Sequence, residues 1–209
     1  MATQAQRSAA TREALLDATL ASLVDVGYAG TTTAGVCERA GLSRGAHLHH
    51  FQTRAALMAA AVEHLADQLG QELLVALESL PEGEGRSEAG LDLLWRAYAG
   101  ELFQAALDLW THARTDPELR ERLEPVERML ERRTARLARF LFPALADRPD
   151  VEPLVVMAVA TVRGLALLDT FQPGAGRNAR HWPACRGMLV ALFEGTAQAR
   201  GPYGVAATR

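Results

Sequence analysis

The sequence predicts an all-α protein, and three observations carry that prediction. Apolar residues recur at helical spacing along most of the chain. Strand signals are almost absent: β-branched runs are short and no two-residue hairpin turn stands out. Cap and stop residues divide the helical pattern into about nine segments. The chain has 209 residues, 49% of them hydrophobic and 22% charged, enough for a sizeable buried core and unlike a disordered composition.

The first helix is expected from about Ser8 to Val26, with Leu16, Leu20 and Leu23 on one face and Gly27 as its stop. Thr31, Thr32 and Thr33 offer an N-cap for a short second helix that ends at Gly41. Ser43 caps a third, to about Phe51, and Thr53 a fourth, to about Leu80. The loop from Pro81 to Ser87 is rich in Glu and Gly. Helix resumes from Glu88 to about Ala113, with a break expected near Gly100. Asp116-Pro117 opens another helix, Pro at its first position, which runs to about Leu145 and must accommodate Pro125. A very apolar helix spans about Val151 to Phe171, and the last covers about Trp182 to Ala199. Three units follow: a three-helix head over 8–53, a larger helical body over 54–200, and a tail over 201–209.

Residues 31–51 carry the sharpest functional signal, a helix-turn-helix. Cys37 and Ala40 are small where two helices must touch, Gly41 can take a positive φ at the turn, and Leu42 is the apolar anchor after it. Ser43 then caps a helix whose first residues, Arg44, Gly45 and Ala46, would face the DNA major groove. Arg44 can fork onto guanine O6 and N7, and Gly45 lets the backbone come close. Thr32, Thr33, His49, His50 and Arg54 are suited to phosphate contacts, and Ser43 belongs to the same DNA-binding set. A metal pair at His49-His50 is disfavoured, because adjacent helical residues point about 100° apart.

The ordered set Gly27-Tyr28, Thr31-Thr32-Thr33, Ala40-Gly41-Leu42-Ser43-Arg44-Gly45-Ala46, His49-His50-Phe51 and Arg54-Ala55-Ala56-Leu57 resembles the N-terminal domain of the tetracycline-repressor (TetR) family. The resemblance covers about residues 10–60. It implies a DNA-binding head and a body that binds a small effector and dimerises through its last two long helices. Many family members have Tyr where Leu48 stands; Leu48 could touch only apolar groups such as a thymine methyl. His47 takes a position that is usually aliphatic, so its ring should need a partner. Trp95, Tyr98, Phe103, Trp110, His112 and Met129 are the candidate effector contacts, ordinary core being the competing assignment. Val155, Val159, Val162, Phe171, Leu189, Leu192 and Phe193 are the candidate dimer contacts, with an intramolecular core as the competing assignment.

Composition bounds the alternatives. The net charge is −3, and residues 1–54 carry about +1, weak for a DNA binder; protonation of His47, His49 or His50 near DNA would raise it. All basic side chains other than histidine are arginine. Cys37 and Cys185 lie far apart, so neither a metal site nor a disulfide framework is indicated, and no cofactor is expected. No apolar run is expected to approach a membrane span, and no signal peptide opens the chain, so a cytoplasmic protein is expected. An enzyme is disfavoured by the lack of a Glu-x-x-His pair, a nucleophile elbow or a glycine-rich phosphate loop. The expected protein is a homodimeric regulator, by default a repressor, that binds a near-palindromic double-stranded operator and leaves it when a small apolar or amphipathic effector enters. The competing reading is a helical interaction protein that keeps the fold without binding DNA.

Overall fold

The structure, a computed structural model, describes residues 3–83, 85–142, 145, 148–169 and 179–195. Nine α-helices and no strands lie among the described residues. α1 spans Gln4–Gly30, α2 Thr33–Ala40, α3 Arg44–His50 and α4 Arg54–Leu77. α5 spans Arg86–Ala99, α6 Glu101–Ala113, α7 Pro117–Leu141, α8 Val151–Asp169 and α9 Trp182–Phe193.

The element ends follow from local chemistry. α1 starts earlier than expected because Thr3 and Gln6 form a reciprocal capping box, Thr3 Oγ1 accepting from Gln6 N at 3.2 Å and Gln6 Oε1 from Thr3 N at 2.8 Å. Its regular part stops at Val26, since Gly27 takes φ 67 and ψ −178. Gly100 is extended (φ −75, ψ 157) and separates α5 from α6 at the expected break. Asp116 Oδ1 accepts from Leu119 N at 3.0 Å to cap α7, which continues through the exposed Pro125. α9 ends at Phe193, short of the expected Ala199; the tail over 201–209 lies outside the described residues.

Two clusters make the interior. In the first, Leu15, Leu16, Leu20 and Leu23 of α1 meet Val36 and Cys37 of α2, Leu57, Met58 and Leu65 of α4, Leu109 of α6, and Leu119 and Leu123 of α7. Head and body therefore share one core. Cys37 serves there as a small contact residue, and both cysteines are free. Buried Thr19 and Ser22 donate back to the carbonyls of Leu15 and Ala18, so neither hydroxyl is left unpaired. The second cluster joins α5, α7, α8 and α9 around Leu91, Leu141, Val155, Val162 and Phe193, with Phe142 edge-on to Phe193 at 4.8 Å.

α8 corrects one expectation. Val151–Leu168 is long and apolar enough, at a mean hydropathy of 1.8, to match a membrane span by length and composition. Its inner face instead packs in the second cluster, and Arg163, well inside the helix, donates to Glu127 of α7 at 2.8 Å.

Candidate nucleic-acid interface and cavity

The turn between α2 and α3 is built by backbone bonds that the sequence encodes locally. Thr32 Oγ1 accepts from Gly35 N at 3.1 Å, capping α2. Gly41 takes φ 65 and ψ 29, which lets its own N–H reach Glu38 O at 3.1 Å and Leu42 N reach Cys37 O at 2.9 Å. This closes the helix end with a left-handed residue. Ser43 Oγ accepts from Ala46 N at 3.2 Å and starts α3. Arg44, Gly45, Leu48 and His49 are then exposed, while Ala46 and His50 are half-buried. Arg44 makes no ion pair among the described residues. Leu48 keeps 63% of its surface in solvent, and four residues after Arg44 it shares that residue's face. Thr32 is exposed and Thr33 half-buried at the start of α2.

The histidines of α3 differ from one another. His47 is buried (4% exposed), its ring 6.2 Å from that of Phe51, and its Nε2 has no hydrogen-bond partner. Burial holds its pKa below the ordinary histidine value. His50 is also lowered, by burial first and then by His49 and Arg12. Protonation of these two is thus opposed in the chain without DNA. Among the described residues no cluster of three His, Cys, Asp or Glu could hold a metal ion.

Arg54 occupies a different place from the one expected. Its Nε donates to Thr31 O at 2.8 Å, Nη2 donates to Tyr28 O, and the guanidinium lies 3.8 Å over the Tyr28 ring. It ties the start of α4 to the α1–α2 turn instead of standing free for phosphate. Tyr28 is the centre of this latch. Its backbone N donates to Asp108 Oδ2 at 2.6 Å and its hydroxyl to Asp116 Oδ2 at 2.8 Å. The His112 ring lies beside it, tilted by 45° with ring centroids 4.7 Å apart, and bonds Asp108 O through Nδ1 at 2.9 Å. Burial, then the Asp116 bond, raises the Tyr28 phenol. The Leu119 N–H, then the Tyr28 hydroxyl, lowers Asp116. Sequence reading missed Tyr28, Asp108 and Asp116 as a group. Only the Gly27-Tyr28 stop and the Asp116-Pro117 start were visible, 80 or more residues apart.

Below the latch lies a cavity of about 940 Å³ walled by α4, α5, α6 and α7. Tyr98, Phe103 and Trp110 line it. Trp95 does not: it stacks on Trp182 at 5.1 Å, while Trp182 Nε1 donates to Asp92 at 2.7 Å. His112 belongs to the latch, and Met129 packs against the first core cluster, so these three leave the cavity set. A residue outside that expectation touches the wall from behind. Arg163 of α8 holds its guanidinium 5.0 Å from the Trp110 ring, 5.4 Å from Tyr98 and 5.7 Å from Phe103, with Glu127 as its counter-ion.

The expected dimer contacts are mostly used inside the chain. Val155, Val162, Leu189 and Phe193 are buried in the second cluster, and Val159 and Leu192 are half-buried against it. Phe171 lies outside the described residues. The outward face of α8 and α9 carries other apolar side chains: Val156 is 57% exposed, Leu168 51% and Met188 68%.

A family model described as bacterial regulatory proteins, tetR family, matches residues 15–61, the head and the start of α4. The chain is 32% identical over 182 residues to the HTH-type transcriptional regulator CymR of Pseudomonas putida, covering 85% of this chain and 88% of the relative. Among solved structures it resembles a TetR-family transcriptional regulator from Cytophaga hutchinsonii, with TM-score 0.68, 18% identity, and coverage of 91% of this chain and 96% of that one. It also resembles the multidrug binding protein EbrR complexed with imidazole, with TM-score 0.62, 23% identity, and coverage of 87% and 88%. With the helix-turn-helix formed as described and a relative matched along most of its length, the chain belongs to the TetR family of helix-turn-helix DNA-binding transcription regulators.

Proposed function

We propose that the chain acts as a homodimeric repressor that holds operator DNA until a small molecule fills the cavity. The observation that carries this reading is the double role of α6. One face presents Phe103, Ala106 and Trp110 to the cavity, while Asp108 and His112 hold the head at Tyr28. A ligand that needs more room between α4 and α6 displaces the helix that positions the head. It releases the operator because it binds the DNA-incompetent arrangement better. EbrR, described as a multidrug binding protein and solved with imidazole, supports a small-molecule role.

In the head, over 8–53, α3 enters the major groove with Arg44, Gly45 and Ala46 leading, and Leu48 meets a thymine methyl. Thr32, Thr33, Ser43, His49 and His50 position the phosphates. Two heads on one dimer reach successive major grooves, so operator half-sites lie about 34 Å apart and nearly palindromic. The body, over 54–200, pairs through the outward face of α8 and α9, where Val156 and Met188 join Ala160, Gly164 and Gly187 in letting two helix pairs approach as a four-helix bundle. A cytoplasmic location follows from work on DNA.

The test is a mobility shift of the purified protein on its own upstream intergenic DNA, with a scrambled control. A specific shift that Arg44→Ala abolishes supports the reading. If no shift appears, selection from random duplexes follows; an empty selection overturns the DNA-binding role and favours the interaction-protein reading.

A further inference from the structure

Resting on the proposal that the body is a regulatory chamber, we infer that the cavity takes a single-headed amphipathic anion, apolar end toward the DNA-binding head. The observation is an uneven distribution of charge along the cavity. α4 and its capping residue run beside it from Val62 to Glu78, about 24 Å at 1.5 Å per residue. Nearest the head the wall is apolar, formed by Val62, Leu65, Ala106 and Trp110. The charged side chains of the wall, Asp67, Glu78, Arg86, Arg133 and Arg136, lie farther out. Arg86 marks the far end, since its Nε donates to Leu141 O, at the last residue of α7, at 3.3 Å.

The charges do not cancel. Asp67 of α4 and Arg133 of α7 pair with each other. That leaves Glu78 against Arg86 and Arg136, one positive charge in excess on a chain of net −3. Arg136 is exposed and makes no ion pair among the described residues, and Arg86 spends its Nε and Nη1 on the carbonyls of Leu141 and Pro81. Leu74 and Phe140, 63% and 64% exposed, give the opening between α4 and α7 an apolar lip over which a hydrophobic tail can enter.

Each end of the cavity then constrains the ligand. A charge carried to the Trp110 end would be desolvated, and the cation behind that wall, Arg163, is already paired with Glu127 and lies outside the cavity lining, which disfavours two-headed or strongly hydrated molecules. An oxyanion left at the mouth meets guanidinium groups, whose weak hydration and planar fork suit carboxylate or phosphate. The tail reaches Trp110 on α6, the helix that also carries the latch to the head.

The test titrates the full-length protein with decanoate, decanol and decylammonium, all below micelle-forming concentrations, and reads tryptophan emission. A Trp110→Phe variant shows which part of the signal arises in the cavity. Decanoate should shift the Trp110 signal at concentrations at least tenfold lower than decylammonium. Arg136→Glu, a change on an exposed side chain, should erase that preference while leaving the folded spectrum unchanged. Equal or tighter binding of decylammonium overturns the inference, as does the absence of a Trp110-dependent signal with all three probes. Operator binding is read in parallel. Decanoate that binds as expected but leaves the operator complex intact sinks the regulatory proposal and spares the ligand class; release by decylammonium in place of decanoate does the reverse.

Discussion

Replacing Arg54 by alanine separates a structural role from a DNA-contacting one. The side chain makes two charge-assisted hydrogen bonds to the carbonyls of Thr31 and Tyr28 and covers the Tyr28 ring. Each such bond is worth about 1.5–3 kcal/mol, and the cation–π contact about 0.5–1 kcal/mol. The side chain is half-exposed and the contributions overlap, so a total of about 3 kcal/mol is the reasonable expectation. For a chain of this size that corresponds to a melting temperature lower by roughly 6–12 °C if unfolding is cooperative. Arg54→Lys keeps the charge but loses the fork, and should recover less than half of the loss. Thermal unfolding gives the first number. The salt dependence of operator binding, measured at a temperature where the variant remains folded, gives the second. The slope of log K against log salt should not change. A phosphate contact in each head would instead remove about two units of slope from the dimer. A variant that melts with the wild type and loses those two units would refute the latch.

Three further perturbations probe the same frame. Gly27→Ala should lower stability by about 2 kcal/mol in urea unfolding, because φ 67 with ψ −178 is essentially a glycine conformation and the new Cβ would lie 3.2 Å from Asp108 Oδ2; a wild-type midpoint would contradict the strained turn. The depressed pKa of Asp116 means that its contribution to stability is present above the ordinary carboxylate value and is lost as pH falls through the folded-state value. Asp116→Asn should therefore lose less stability than the wild type between pH 6 and pH 3, as read from urea midpoints, and parallel losses would exclude the group. Met188→Glu combined with Val156→Glu should yield a folded monomer in sedimentation, whereas Val162→Glu, at 0% exposure, should fail to fold; a double variant that remains dimeric would move the interface elsewhere.

The parts of the fold legible in the sequence are those fixed by neighbours along the chain. Thr32, Ser43 and Thr53 each place a side-chain oxygen three residues before a free N–H, and Gly41 supplies the left-handed turn, so α2, α3 and the start of α4 could be placed from local chemistry. The break at Gly100 was visible for the same reason. What could not be read was the direction in which a side chain points once helices pack. Arg54 looked like a surface cation because its carbonyl partners belong to a turn 23 and 26 residues away. Trp95 looked like a cavity wall because its stacking partner, Trp182, is distant in sequence. α8 is apolar nearly all round, so periodicity could not separate Val155 and Val162, which face the core, from Val156, which faces solvent.

The central claim is that α3 reads a specific operator and that this binding is lost when the cavity fills. The most direct measurement is the affinity of the wild type and of Arg44→Ala for a selected operator and a scrambled duplex, at two salt concentrations, with and without a ligand that changes Trp110 emission. The account predicts specific, salt-sensitive binding by the wild type that Arg44→Ala abolishes and that the ligand weakens at least tenfold. Equal affinity for both duplexes, or a specific complex unchanged by the alanine variant and by a saturating ligand, would contradict it.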